Sequence, residues 1–278
     1  MTNAIRPTAR PVPNLLVPGM QKSGTTFLCA HLARHPRIYF SKPKEPDLFR
    51  KPKLTRGDFQ RYLRTMFPLD RIAKKPGIPK YLAEGTTTYF QSPHALGNLQ
   101  KYLGRDITAI VCIRHPIDKA VSHYMHNWRR GRLTGKERIT DIAGAARSIY
   151  EWGLCAAHAE RWIEALGRKR LLFLRYELLV ESPEKYVRAA TDFLGIEPLP
   201  RIETRRINAG FPIALEGKAL VPVVDAAAPK NDRSLLPRFP ISDLEFLLEQ
   251  FRADIERTED VVGIDLAGWK TLPRLEVA

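Results

Sequence analysis

The sequence predicts a three-layer α/β fold in which a central, mostly parallel sheet is flanked by helices. Short apolar runs suited to buried strands begin near Leu15, Tyr81, Ile107 and Leu171. Longer segments with apolar residues at helical spacing separate them, and strands that alternate with helices favour parallel pairing. At 278 residues and 44% hydrophobic content, the chain is about the size of one large α/β domain. We therefore expect a single domain over 1–278, with its core at about 12–270 and a loose N-terminal arm at 1–11.

The first apolar run leads into a turn suited to binding phosphate. The stretch Leu15–Leu28 reads LLVPGMQKSGTTFL, which is a strand pattern, a turn between Gly19 and Gly24, and a helix start. Unpaired N–H groups and the helix dipole favour an anion at such a helix N-terminus. This strand–turn–helix unit makes the predicted fold P-loop-like. Its candidate phosphate-binding residues are Lys22, Ser23, Gly24, Thr25 and Thr26.

The position of the lysine distinguishes this turn from the Walker A loop of nucleoside triphosphatases. In a Walker A motif the lysine directly follows the second glycine, and Ser or Thr comes next. Here Thr25 follows Gly24, while Lys22 precedes that glycine. A P-loop nucleotide kinase or hydrolase is therefore the less favoured alternative. A non-catalytic nucleotide- or polyanion-binding protein is a further alternative.

A second phosphate-binding pattern lies in the segment Ala109–Gly131, AIVCIRHPIDKAVSHYMHNWRRG. Arg114 falls at the end of a predicted strand, and Asp118 is placed to cap the helix that follows. Ser122 lies two turns further on. The planar fork of an arginine together with a hydroxyl suits a terminal phosphate.

These segments, with two later ones in the same order, resemble sulfotransferases that use 3′-phosphoadenosine 5′-phosphosulfate (PAPS). The third segment has a strand ending in Tyr176-Glu177 and then a helix that closes at Gly195. The fourth, Ile241–Trp269, is a long helix pattern ending in GIDLAGW. The resemblance covers about 12–270 and points to the heparan/carbohydrate-type and bacterial branch. It implies that Arg114 and Ser122 hold the 3′-phosphate and that Tyr176 lies against the adenine.

Sulfuryl transfer needs a general base for the acceptor and a cation for the leaving oxygen. Lys22, inside the phosphate loop, is the expected cation. By resemblance, Glu45 in SKPKEPDLF is the first candidate for the base. His126 is the second, because it lies four residues after Ser122 on the same helix face. His94 is the third.

One position departs from the pattern of the family. In LAEGTTTYF, Gly85 stands where heparan-type enzymes have a catalytic lysine, so either another residue such as Lys44 supplies the charge or the acceptor is handled differently. Glu84 and Thr86 to Thr88 remain as polar groups for the acceptor. The resemblance also implies that a late basic loop, with Lys230 and Arg233, meets the 3′-phosphate.

Composition sets the class of partner. The formal net charge of +15 indicates anionic ligands, and the basic clusters fit either a cleft for an acidic acceptor or solvated surface. The sequence has no nucleic-acid-binding signature and no apolar stretch of the roughly 20 residues that span a bilayer. The dispersed Cys29, Cys112 and Cys155 look like reduced core thiols, which favours the cytoplasm. We expect PAPS as the donor, PAP as the product, no metal, and a small-molecule, glycan or secondary-metabolite acceptor.

Overall fold

The structure, a computed structural model, describes residues 12–204, 213–223 and 236–273. The strands of its central sheet are β1 (Leu15–Gly19), β2 (Ile38–Phe40), β3 (Tyr81–Gly85), β4 (Thr108–Ile113) and β5 (Leu171–Arg175). They pair in the order β2-β3-β1-β4-β5, and every pairing is parallel. The predicted central sheet is therefore confirmed, with strands at the four expected places.

The remaining elements surround this sheet. The helices are α1 (Thr25–Arg34), α2 (Arg56–Met66), α3 (Leu69–Ala73), α4 (Ala95–Leu103), α5 (Pro116–Arg129), α6 (Arg147–Glu151), α7 (Ala156–Leu166), α8 (Tyr176–Glu181), α9 (Pro183–Leu194) and α10 (Ile241–Val262). A small antiparallel sheet contains β6 (Ile213–Glu216), β7 (Ala219–Pro222) and β8 (Phe239–Pro240). Single 3₁₀ turns lie at Leu48–Arg50, Arg168–Arg170 and Ala267–Lys270.

Strand β2 was not predicted. It has three residues and pairs with β3 at the edge of the sheet, with Ile38 opposite Tyr81. A run this short gives no periodicity in the sequence, and its conformation is fixed by the hydrogen bonds to β3.

The sheet is covered on both faces, as the three-layer prediction requires. Because side chains alternate along a strand, Leu15 and Val17 enter one buried cluster and Leu16 enters the other. Helices α1 and α9 contribute to the first cluster, and α5, α7 and α10 contribute to the second. This arrangement leaves the carboxyl ends of the strands as the edge where loops meet, which is where ligands bind in such folds.

The start of α5 differs from the sequence prediction. Asp118 was expected to cap this helix, but the capping residue is His115, whose Nδ1 accepts a hydrogen bond from the N–H of Ile117 at 3.2 Å. Pro116 is preorganised for the first helical position, so the helix begins two residues before Asp118. Asp118 lies in the first turn, where its charge still complements the helix dipole.

Helix α10 is the longest of the described helices, with 22 residues. It ends at Val262 because Gly263 adopts a left-handed conformation with φ 62°. Trp269 follows and is buried in the core. In the described ranges, no helix is both long enough and apolar enough to cross a bilayer.

Candidate functional site

The turn predicted to bind phosphate lies at the carboxyl edge of the sheet, between β1 and α1. Gly24 is the N-cap of α1 and has φ 83°, so no side chain caps the helix at this residue. A Cβ on Gly24 would lie 2.9 Å from Leu179 Cδ2 and 3.0 Å from Tyr176 Cδ2. A glycine is therefore needed both for the backbone conformation and for the close approach of α8. The uncapped helix N-terminus can bind an anion.

The hydroxyl-bearing residues of this turn differ in burial. Ser23 is fully buried, and its Oγ donates to the carbonyl oxygen of Gln21 at 3.4 Å. Thr25 is also buried, whereas Thr26 is half-buried. The Ser23 side chain therefore stabilises the loop by a hydrogen bond inside it, which leaves the backbone N–H of Ser23 as the group that can bind an anion.

The side chain of Arg114 is held beside this turn by two contacts. Its Nη1 donates to the carbonyl oxygen of Lys22 at 3.1 Å, and its guanidinium lies 4.2 Å from the centroid of the Tyr176 ring. A cation over an aromatic face is attracted by the ring quadrupole. The Nε of Arg114 is buried and has no hydrogen-bond partner in the described part of the chain. A partly unsatisfied guanidinium of this kind fits an anionic ligand.

Positive charge is concentrated around the turn. Burial lowers the pKa of Lys22, and the nearby Arg114 and Arg129 lower it further. The pKa of His126 is also lowered, first by burial and then by Lys22 and the arginines at the end of α5. Like charges held this close together are stabilised when an anion binds among them. Ser122 lies one turn before His126 on α5, and both side chains are half-buried.

Glu45 lies beside the carboxyl end of β3, the strand that pairs with β1. Its N–H donates to the carbonyl oxygen of Gly85 at 2.9 Å. Its Oε1 accepts hydrogen bonds from Thr87 Oγ1 at 3.1 Å and from Lys44 Nζ at 2.6 Å. Since β3 pairs directly with β1, the carboxylate and the Lys22 turn are at adjacent strand ends.

Backbone strain marks the same region. Among the described residues, only Lys22, Glu45 and Asp47 combine a side chain with a positive φ, at 64°, 64° and 56°. Non-glycine residues in this conformation cost about 1–3 kcal/mol each and cluster at functional sites. Asp47 was not predicted from the sequence. Its Oδ1 accepts a hydrogen bond from Thr88 Oγ1 at 2.9 Å.

Gly85 has no room for a side chain. A Cβ there would lie 2.7 Å from Cys29 Sγ and 3.3 Å from Phe40 Cζ. Burial raises the pKa of the Cys29 thiol, and the ammonium of Lys44 opposes that rise. The ammonium of Lys44 therefore lies near Cys29 and hydrogen-bonds Glu45 at the end of β3.

Not every predicted residue joins the site. His94 is exposed at the start of α4, and none of its described contacts is to Glu45, Lys22 or Arg114. Glu84 is fully buried, so it cannot contact an acceptor in this structure. Lys230 and Arg233 lie outside the described residues. No group of three or more His, Cys, Asp or Glu side chains that could hold a metal occurs within the described ranges.

Comparison with known proteins agrees with this geometry. A family model described as "Sulfotransferase domain" matches residues 13–208. Mouse heparan sulfate glucosamine 3-O-sulfotransferase 3B1 is 26% identical over 196 residues, which are 68% of this chain and 47% of that protein. Human heparan sulfate glucosamine 3-O-sulfotransferase 6 is 26% identical over 273 residues, which are 95% of this chain and 75% of that protein. The chain thus spans about half the length of the mouse relative.

Solved structures show the same fold. A sulfotransferase from Alicyclobacillus acidocaldarius superposes with a TM-score of 0.64 at 24% identity, covering 94% of this chain and 100% of that chain. The sulfotransferase domain from the curacin biosynthetic pathway superposes with a TM-score of 0.51 at 17% identity, covering 93% and 100%. The family match extends over more than half of the residues and includes the turn between β1 and α1, Glu45, Arg114 and Tyr176. The chain therefore belongs to the sulfotransferase domain family.

Proposed function

We propose that this protein transfers the sulfuryl group of PAPS to a hydroxyl or an amine of a carbohydrate or secondary-metabolite acceptor. The observation that carries the proposal is the gathering of Lys22, Arg114 and Arg129 around an uncapped helix N-terminus at the carboxyl edge of the sheet. Family membership supports the same reaction. The names of the curated relatives give heparan sulfate as their acceptor, and the proposal for this chain is broader because Gly85 differs from the heparan-type pattern.

The donor fits the residues at this edge. The N–H groups from Lys22 to Thr26 would hold its 5′-phosphosulfate, and the hydroxyl of Ser122 with the guanidinium of Arg114 would hold its 3′-phosphate. The buried, unpartnered Nε of Arg114 supports that assignment. Tyr176, already against the guanidinium, would lie beside the adenine. Lys230 and Arg233 are proposed further contacts to the 3′-phosphate.

Two groups of this chain would perform the chemistry. The donor supplies an activated sulfuryl group on a bridging oxygen that becomes negatively charged as the bond to sulfur breaks. Lys22 would stabilise that charge as an ammonium. Glu45 would take the proton of the acceptor hydroxyl, since its carboxylate is exposed at the adjacent strand end. Lys44, hydrogen-bonded to Glu45, would supply the cation that Gly85 lacks.

The base assignment has an alternative in His126. Its lowered pKa would keep the imidazole neutral and able to accept a proton at neutral pH. Glu45→Gln and His126→Ala separate the two, because the variant that lacks the true base should lose roughly 10²–10⁴ in kcat. Undiminished transfer in both variants would contradict both assignments.

The reducing environment implied by three free, buried cysteines supports a cytoplasmic location. We infer a single sulfotransferase domain, with a small-molecule, glycan or secondary-metabolite acceptor. Neither the described geometry nor the family match favours a nucleic-acid partner.

Calorimetric titration with adenosine 3′,5′-bisphosphate (PAP), beside ATP with magnesium, tests the donor site. We expect PAP to bind without magnesium and Arg114→Ala to weaken it by at least tenfold, since a charged hydrogen bond contributes about 1.5–3 kcal/mol. Arg170→Ala is the matched control, because its guanidinium pairs with Asp106 on the surface at 2.6 Å. Preference for magnesium-ATP would contradict the proposal and favour a nucleotide kinase or hydrolase. PAP binding without turnover on any acceptor would favour a non-catalytic binder.

A further inference from the structure

Glu84 is a fully buried acid for which the proposed reaction has no direct use. It lies at the carboxyl end of β3, paired with Leu16 of β1 and directly before Gly85. The hydroxyl of Tyr62, from α2, donates a hydrogen bond to its Oε2. The hydroxyl of Tyr89 lies near the same carboxyl group, whose Oε1 is buried and has no hydrogen-bond partner among the described residues. The buried carboxyl group of β3 is thus hydrogen-bonded to α2 and lies near Tyr89.

Tyr89 and Tyr62 also contact the segment that carries Glu45. The N–H of Phe49 donates to the Tyr89 hydroxyl at 3.2 Å. The ring of Phe49 packs edge-on against Tyr62 and Tyr89, with centroids 5.5 and 5.8 Å away. The other end of the segment is bound to β3, because the N–H of Glu45 donates to the carbonyl oxygen of Gly85. Both ends of Glu45–Phe49 are therefore bound to residues next to Glu84 in sequence or in space, namely Gly85 and Tyr89.

An acid at this place costs stability. Burial raises the pKa of Glu84 to about 7, against the opposing effect of the tyrosine hydroxyls. Apolar residues of similar volume often serve a core better than buried ionisable groups do. What such a group adds is directional hydrogen bonding, which permits one arrangement of its partners and excludes others.

We propose that Glu84 is a positioning residue that, through Tyr62 and Tyr89, fixes the Glu45–Phe49 segment so that the Glu45 carboxylate faces the acceptor. This inference rests on the proposed role of Glu45 as the general base. The contacts support it in two ways: Tyr89 reaches Phe49 directly, and Thr87 and Thr88, beside Tyr89, bond the carboxylates of Glu45 and Asp47.

A double-mutant cycle between Glu84→Gln and Glu45→Gln tests the functional part. Glu84→Gln should lower kcat by roughly 10- to 100-fold, since a displacement of about 1 Å costs that much, while PAP affinity changes less than twofold. In the Glu45→Gln background, Glu84→Gln should cause no further loss. Additive losses, or an undiminished kcat in Glu84→Gln, would overturn the inference. Undiminished transfer in Glu45→Gln alone would instead overturn the base assignment.

Amide hydrogen exchange tests the anchoring without reference to activity. The amides of Glu45 and Phe49 should exchange faster in Glu84→Gln and in the milder Tyr89→Phe. Tyr102→Phe is the matched control: its hydroxyl donates to the carbonyl oxygen of Leu54 at 2.6 Å, away from this segment. Unchanged exchange at Phe49 in both Glu84→Gln and Tyr89→Phe would overturn the anchoring, whatever the activity of the variants.

Discussion

Replacing Gly85 with alanine should destabilise the fold, although alanine adds only one methyl group. The new Cβ would lie 2.7 Å from Cys29 Sγ and 3.3 Å from Phe40 Cζ. The first distance is about 1 Å shorter than ordinary contact. Cys29 is buried in a packed cluster, so it can move only by displacing its neighbours. Overpacking of this kind costs about 1–3 kcal/mol.

An opposing term reduces this loss. Alanine restricts the unfolded chain more than glycine does, which stabilises the native state by about 0.4–1 kcal/mol where the backbone permits it. The net expectation is a loss of about 1–2 kcal/mol in the free energy of unfolding. Gly97→Ala in α4 is the control, because its Cβ would meet nothing within 4 Å. That variant should be more stable than the parent by about 0.5–1 kcal/mol.

Urea denaturation followed by circular dichroism measures both effects. The decisive comparison is Gly85→Ala made in a Cys29→Ala background, where the atom at 2.7 Å is gone. Most of the loss should then disappear, with a remainder from Phe40. An equal loss in both backgrounds, or no loss in Gly85→Ala, would refute the steric reasoning. If the prediction holds, a lysine at position 85 is incompatible with the packing of Cys29.

Three other outcomes follow from buried or site charges. The pKa of Glu84 is raised from 4.5 to about 7 by burial, so the stability of the parent should fall as pH rises between these values. Glu84→Gln should lack that fall, which amounts to about 3 kcal/mol by urea denaturation. Burial lowers the pKa of Lys119 from 10.5 to about 7, so parent stability should rise with pH across that interval, and Lys119→Met should lack the rise. If the free energy of unfolding changed equally with pH in parent and variant, the prediction for that residue would be contradicted. Lys22→Ala should lower kcat by roughly 10²–10³ with an unchanged Tm, whereas Lys42→Ala should retain activity.

The sequence predicted the elements that depend on local pattern. Apolar runs located four of the five central strands because buried parallel strands are apolar on both faces. The turn around Lys22 was evident because glycine placement and a helix start are encoded in neighbouring residues. Helix α9 ends at Gly195 as predicted, since capping is also local.

Short elements and local choices between two polar residues were harder to predict. Strand β2 has three residues and depends on β3 for its hydrogen bonds. His115 and Asp118 are both acceptable near a helix start, and Pro116 decides between them by fixing where the helix begins. The strained backbone of Asp47 gave no signal in the sequence, because it is visible only in three dimensions.

The sequence by itself therefore determined the layered fold, the turn between β1 and α1 and the candidate residues of the site. The tertiary structure alone decided which of them meet. Arg114 lies over Tyr176, Thr87 donates to Glu45, and Cys29 occupies the space beside Gly85. The tertiary structure also buries the side chain of Glu84 in the core. These outcomes depend on the register of parallel strands distant in sequence, and a shift of one residue would reverse the face on which each side chain lies.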